Sequence, residues 1–479
     1  MNRYFNISPH LWLAFATGMS LLSPQVCMAD GYRNQGIMLS ADSLPSAYIC
    51  DDMQSMPLPD CDAWWQTFDD PSLVALVQTA VANNYDLRAA LRRIDASRQM
   101  LRSVYAGYYP TLSAFAGYDR SEISGRATQP YDAAGETSSA FSIGATVSWE
   151  IDIFGRVAEK AKGSKATLSA TRLEYEGLMI SVAAEVAQDY ADLRMYQRQL
   201  EIARGHLESQ AEVLRTVQAQ YDAGLVSKLD VAQAKNTMNT TRLLIPSLES
   251  GMTTARNALL TLCGVESDDK LNTLLSDSTV FRIVPPPGIG SPADLVRRRP
   301  DVAETEKQVE VLASQLGVAK KDWLPVLSLD ATIETSSHSA AHLFGSNSLA
   351  YSVSPRLSWT IFDGFQREAG IAEARAEMEA EMNTYNSTLL TAVQEVNNAL
   401  ASYHSAVAEL QLYDDAIADS REVLRLSLER YRLGLTDFSD VATAQISLLT
   451  TETSFETTRA NCFNALVNLY KALGGGWCE

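Results

Sequence analysis

Two short stretches carry the side chains best placed for chemistry. "AQYDAGLVSKLDVAQA" runs from Ala219 to Ala234, and "ERYRLGLTDFSDVATA" runs from Glu429 to Ala444. Tyr221, Gly224, Asp230, Val231 and Ala234 return as Tyr431, Gly434, Asp440, Val441 and Ala444, each 210 residues on. Their reactive groups are carboxylates: Asp230 in the first stretch, Asp437 and Asp440 in the second. Taken alone, such carboxylates are helix-start residues favoured by the helix dipole. No enzymatic constellation accompanies them. The chain has no Walker A loop, no HExxH and no GxSxG. His338 and His342 are four apart, a spacing that suits a metal only on a helix, and here they fall in a loop between strands. Catalytic residues, cofactors and metal ligands are therefore all read as none.

The elements that position the carboxylates are long helices. From Arg156 to Tyr221 there is no proline, and an apolar stripe runs through Met179, Val182, Val186, Tyr190 and Leu193 to Tyr221. Its steps are threes and fours averaging about 3.5, a coiled-coil period. At 1.5 Å per residue such a helix measures roughly 100 Å. The second half repeats the pattern from about Arg367 to Tyr431. Two matched rods of this length imply an extended helical bundle or tube. Gly224 and Gly434 follow the rods three residues after a Tyr, the position of a helix C-cap. Ser227 and Asp437 then start shorter helices, Ser227 to Leu262 and Asp437 to Leu473. Each repeated stretch is the tip of a helical hairpin. Pro246 falls inside the first shorter helix and is expected to kink it.

The remaining elements are strands. Phe141, Ile143, Ala145, Val147 and Trp149 alternate with Ser142, Gly144, Thr146 and Ser148. Leu327, Leu329, Ala331 and Ile333 alternate with Ser328, Asp330, Thr332 and Glu334; Tyr351, Val353 and Leu357 alternate with Ser352, Ser354 and Arg356. The segment Thr111 to Tyr118 alternates less sharply. One apolar face suits either a soluble sandwich or a membrane barrel, apolar outside and polar inside, with Trp149 and Trp359 at the interface. Ser121–Ser139 and Thr335–Ser348 are read as the loops. "VSWEIDIFGR" and "LSWTIFDGFQR" echo each other, as do "YYPTLSAFAGY" and "DWLPVLSLDATI". The chain is thus a tandem duplication of about 200 residues.

Composition narrows the class. The chain has 479 residues, 46% hydrophobic and 20% charged, with a net charge of −19. That acidity argues against a nucleic-acid partner. Leu11–Leu22 is the apolar core of an export signal, with cleavage near Ala29. Cys27 is the alternative, a lipid-modified N-terminus, although Pro24-Gln25-Val26 makes a poor lipobox. Cys50 and Cys61 are close enough in sequence to pair in an oxidising compartment. No later stretch reaches the 18–20 apolar residues of a spanning helix.

On these residues the sequence resembles the outer membrane factor (TolC) family, the exit ducts of tripartite efflux and secretion machines. "WWQTFDDPSLVALVQTAVANNYDLRAA" (Trp64–Ala90), "LVRRRPDVAETEKQVEVLASQLGVAKKDWLPVLSL" (Leu295–Leu329) and the paired Tyr-x-x-Gly tips carry the resemblance. It is closest to the branch of efflux-pump outer membrane proteins and lipoproteins. The resemblance implies a mainly α protomer with a membrane β-barrel portion. It also implies a homotrimer in which four strands from each copy make a twelve-stranded barrel and the hairpins make a periplasmic α-barrel. Four strands alone cannot close a barrel. It implies no enzyme activity, an outer-membrane location reaching into the periplasm, contact with outer-membrane lipid, and two partners: a periplasmic adaptor and a proton-driven inner-membrane pump.

The expected layout is a signal at 1–29, an extended segment at 30–63, helices at 64–107, strands at 108–152, a hairpin at 153–263, an equatorial linker at 264–300, a helix at 301–323, strands at 324–362, a second hairpin at 363–473 and a tail at 474–479. The resemblance places the tips at the periplasmic entrance. Asp440 matches an aperture aspartate of the family; Asp437 is a second aperture candidate or a helix cap; Asp230 is a third or only a helix-start residue. Three carboxylates around an axis would bind cations and select for them. The caps Tyr221, Gly224, Tyr431 and Gly434, with the tip residues Leu225, Val226, Ser227, Leu435 and Thr436, are the candidates for adaptor docking. The expected function is passive conduction of drugs, toxic compounds or metal ions. The alternatives are the outer channel of a type I protein secretion system and a structural coiled-coil fibre.

Overall fold

A computed structural model describes residues 38–40, 43–45, 48, 63–122, 124, 137–275, 283, 284, 286 and 291–475. The signal, Cys27, the Cys50–Cys61 pairing, most of the extended segment and most of the tail lie outside the described residues. A 3-10 turn at Trp64–Phe68 precedes helices α1 (Pro71–Asn83) and α2 (Tyr85–Ala106). Strands β1 (Thr111–Glu122) and β2 (Thr137–Ile151) lead into the long helix α3 (Arg156–Asp222) and the shorter α4 (Lys228–Leu262). Two short helices, α5 (Asp268–Leu274) and α6 (Pro292–Arg298), precede α7 (Pro300–Lys321). Then β3 (Val326–Ser337), β4 (Leu349–Ser358), α8 (Gln366–Arg432) and α9 (Phe438–Ala472) repeat the earlier order. Both long helices contain 67 residues and both shorter ones 35, so the duplication is kept to the residue. Helix α4 continues through Pro246.

The chain divides into two compact units. One holds Gly107–Gly163 and Gln308–Asn386 with the described residues before Ala41. Its centre is a four-stranded antiparallel sheet in the order β1-β2-β3-β4. The register joins the apolar positions of all four strands into one face. Leu112 pairs with Val147, Val147 with Ala331 and Ala331 with Val353; Ala114, Ala145, Ile333 and Tyr351 make the next row. This face is open: Tyr351 is 81% and Val353 63% exposed. The opposite face carries Ser113, Thr146, Thr332 and Ser352 in one row and Thr111, Ser148, Asp330 and Ser354 in another. The inter-strand loops are shorter than expected, because Ser121 pairs with Ser138, Glu122 with Thr137 and Thr335 with Leu349. Polar side chains do not stop a ladder whose bonds are made by the backbone.

Both halves close the sheet against their helices in the same way. The Trp149 indole N–H donates to the Tyr108 carbonyl at 3.0 Å, and the Trp359 indole donates to the Trp323 carbonyl at 3.0 Å. Arg156 donates to both Glu150 carboxylate oxygens at 2.8 and 2.7 Å. Arg367 binds Asp363 at 2.6 Å and lies over the Trp323 ring, 4.6 Å from its centroid.

The second unit holds the described parts of Ala41–Ala106, Ser164–Lys307 and Ser387–Glu479. Trp64 stacks on Tyr470 at 5.3 Å, and Phe68 meets Phe463 at 4.6 Å, which ties the first described helices to α9. The buried Arg299 binds Asp301 and Glu395, each at 2.6 Å, and the Ala472 carbonyl at 3.0 Å. Among the described residues no helix is long and apolar enough to cross a membrane.

The two sheet faces should respond differently to charge. Val353→Arg is expected to destabilise the protein by about 2–4 kcal/mol and Ser352→Arg by less than about 1 kcal/mol, read from urea unfolding in lipid vesicles. Equal losses at the two neighbours would remove the distinction between the faces.

Candidate functional site

Each long helix ends in a Schellman motif. At the first tip, Gly224 N–H donates to the Tyr221 carbonyl at 2.9 Å and Leu225 N–H to Gln220 at 2.8 Å. At the second, Gly434 donates to Tyr431 at 2.9 Å and Leu435 to Arg430 at 2.9 Å. Gly224 and Gly434 have φ of 75° and 71°, the left-handed conformation in which a Cβ is costly. Leu225 and Leu435 then project outward, 75% and 65% exposed.

The following helix starts differ. Ser227 is the N-cap of α4: its hydroxyl oxygen accepts from Leu229 N–H at 3.1 Å and Asp230 N–H at 3.3 Å. Asp230 returns the bond, accepting from Ser227 N–H at 3.3 Å. This full capping box gives Asp230 the helix-start role. Asp437 occupies the matching N-cap position of α9 but makes no side-chain capping bond. The Asp440 carboxylate accepts from the Thr436 hydroxyl instead. Asp437 and Asp440 both remain exposed.

Below the caps the two tips share one apolar cluster. Val217, Ala234, Phe438 and Val441 are buried in it, with Val226, Val231 and Tyr431 packed around them. Tyr431 meets Phe438 edge-on at 5.3 Å. Its hydroxyl is buried without a hydrogen-bond partner. Burial pushes the Tyr431 phenol up, and the Asp230 charge adds to the rise. The structure thus brings Asp230, Val226, Tyr431 and the second tip together.

Further from the tips, three helices meet at a polar clamp that the sequence pattern did not signal. His206 of α3 shares a 2.7 Å hydrogen bond with Glu452 of α9, and Arg421 of α8 donates to the same carboxylate at 2.7 Å. A cavity of about 450 Å³ opens beside them, lined also by Arg198, Gly205 and Phe455. His206 lies inside α3, and its partners lie on helices far away in sequence. The His206 hydrogen bond holds the Glu452 carboxyl below the usual range; burial opposes this and Arg421 assists it. Among the described residues no group of three or more His, Cys, Asp and Glu is placed to hold a metal ion. Cys263 and Cys462 are free and buried.

Two outcomes follow from this geometry. Ser227→Ala is expected to cost about 1 kcal/mol, and Asp437→Ala less than half of that, measured by amide exchange at the starts of α4 and α9. For Glu452, the folded pKa lies below the unfolded one. Its stabilisation is therefore complete above the unfolded value of 4.5 and fades as pH falls through the folded value. Glu452→Gln should lower the melting temperature at pH 7 and lose less than the parent protein between pH 5 and pH 3. A parallel loss in both would exclude the clamp as a contributor.

Comparison with known proteins matches this architecture. The family model described as outer membrane efflux protein covers residues 76–265 and 292–475. The toluene efflux pump outer membrane protein TtgC of Pseudomonas putida is 28% identical over 417 residues, 87% of this chain and 85% of that protein. The solvent efflux pump outer membrane protein SrpC of Pseudomonas putida is 29% identical over 412 residues, 86% of each. The solved structure of the outer-membrane channel OprN superposes with a TM-score of 0.81 at 28% identity, over 90% of this chain and 97% of that one. The fold class is therefore that of these channels, mainly helical with a membrane β-barrel portion. With its family model matched in both halves, the chain belongs to the outer membrane efflux protein family, the outer-membrane channels of the TolC type.

Proposed function

We propose that this protein is the outer-membrane exit duct of a tripartite efflux system. It conducts small molecules passively from an inner-membrane pump, through a periplasmic adaptor, to the exterior. The observation that carries the reading is the open four-stranded sheet with one exposed apolar face. Such a sheet satisfies its edges in lipid only by joining others. Three copies give twelve strands and place the polar face around a lumen. The hairpins at 153–263 and 363–473 then extend into the periplasm, and the paired tips form the entrance. Relatives described as toluene and solvent efflux proteins support cargo of the toxic-compound type, within the expected range of drugs, toxic compounds and metal ions. A pump driven by protons is the expected partner, and an ATP-driven exporter belongs to the secretion alternative.

At the entrance, Asp440 and Asp437 are the aperture carboxylates, because both are exposed and neither closes a capping box. Asp230 is committed to its cap. Leu225, Val226, Ser227, Leu435 and Thr436 offer the adaptor a surface set by the two left-handed glycines.

Affinity purification of the tagged protein in mild detergent, with mass determination, is expected to yield a trimer carrying an adaptor and a proton-driven pump. An ATP-driven exporter in their place would move the protein to secretion; a monomer without inner-membrane partners, even after crosslinking, would overturn the reading. In planar bilayers, Asp440→Ala should reduce block by divalent cations severalfold. Unchanged conductance and unchanged block would take Asp440 out of the aperture.

A further inference from the structure

The polar face of the sheet carries one aromatic side chain among its described residues, Phe115 of β1. It explains why β1 alternates poorly in sequence. Phe115 pairs with Gly144, Gly144 with Glu334 and Glu334 with Ala350, so the four residues form one row across the sheet. A Cβ placed on Gly144 would stand 2.7 Å from the tip of the Phe115 ring and 2.8 Å from the Glu334 Cβ. It would also stand 2.7 Å from the Ile333 carbonyl oxygen. The ring therefore reaches across β2 into the space that a side chain at 144 would fill, and its tip comes to rest beside Glu334. Glycine inside a strand weakens it, and where it persists it marks a close approach. Here the approaching group is the ring. Phe115 is still 37% exposed, so part of the ring faces the space in front of the sheet.

The charges around this row favour a cation. Glu150 is held by Arg156 at 2.7 Å, and Asp330 accepts from the Ser148 hydroxyl at 2.8 Å. Arg356, the base on this face, pairs with Ser328, toward the other end of β3 from Glu334. An aromatic ring and an acidic side chain in one row together attract organic cations, the ring through its quadrupole and the acid through its charge. Neither alkali ions, which remain hydrated, nor organic anions gain from both groups.

The geometry points to a binding row for aromatic and lipophilic organic cations, built from Phe115, Gly144 and Glu334 and repeated once per protomer along the lumen. This rests on the duct reading, in which the polar face lines the lumen. Gly144 sets the specificity: it seats the ring against the wall, where the ring binds cargo without narrowing the path.

The test is equilibrium dialysis of tetraphenylphosphonium against the purified full-length protein in zwitterionic-lipid nanodiscs, with empty nanodiscs subtracted. Tetraphenylborate is the anionic control. Saturable binding of the cation is expected, weakened about fivefold by Phe115→Leu and by Glu334→Gln and kept by Phe115→Tyr. Heat-shifted gel mobility reports whether each variant assembles; if Phe115→Leu does not, Glu334→Gln decides. Binding that is absent, that is equal for tetraphenylborate, or that is unchanged in the assembled variants overturns the row. Bilayer conductance of the same preparation tests the duct separately: a conducting channel without cation binding keeps the duct and loses the row. Binding at these residues without conductance keeps the site and loses the duct.

Discussion

Backbone hydrogen bonding at the two edges of the sheet is the constraint on which the rest depends. In hydrocarbon no water is present to meet an N–H or a carbonyl, so an open strand edge is costly. Among the described residues β1 and β4 are paired on one side only. Lengthening the sheet within the chain would have required more strands; the chain carries long helices instead. The proposed trimer meets those edges with identical copies, which bring a symmetry axis with them. The continuous apolar face, the polar face opposite and the tryptophans at the strand ends all fit the closed surface of that proposed assembly.

Duplication does not make the two halves equal. The Schellman caps and the tryptophan-to-carbonyl bonds recur with nearly the same geometry. The starts of the shorter helices do not: Ser227 and Asp230 close a box, whereas Asp437 leaves its helix start open. The clamp of His206, Arg421 and Glu452 is not repeated by the duplication. The residue matching His206, 210 positions on, is Ala416, whose methyl group can make no hydrogen bond. One tip is thus locally sealed, and the other is held through side chains that also face solvent.

Features governed by period were legible in the sequence. The heptad-like stripe located α3 and α8, alternation located the sheet faces, and Tyr-x-x-Gly located the caps, because each depends on neighbours a few residues away. Loop ends were misjudged because Ser and Thr look like turn residues although the ladder bonds belong to the backbone. The clamp could not be read, since His206, Arg421 and Glu452 come from three helices and share no spacing. Phe115 registered only as a flaw in alternation. Its meaning came from Gly144 and Glu334, which lie opposite it on the sheet and not beside it in the chain. The capping state of Asp437 was equally hidden, because composition alone does not tell an occupied cap from an empty one.

The aromatic residues of the apolar face also fix a ruler. Tyr118 and Phe141 pack together at 4.7 Å near one end of the sheet, and Trp149 stands near the other. The eight steps from Phe141 to Trp149 span about 26 Å along the strand. Tilted as barrel strands are, that becomes about 20 Å of height. Such a band is short for a sterol-rich or thickened bilayer and close to the thin hydrocarbon layer of a bacterial outer membrane. Membrane thickness alone would then sort this protein, since a thicker bilayer would have to be pinched around it or would leave its polar rims in oil.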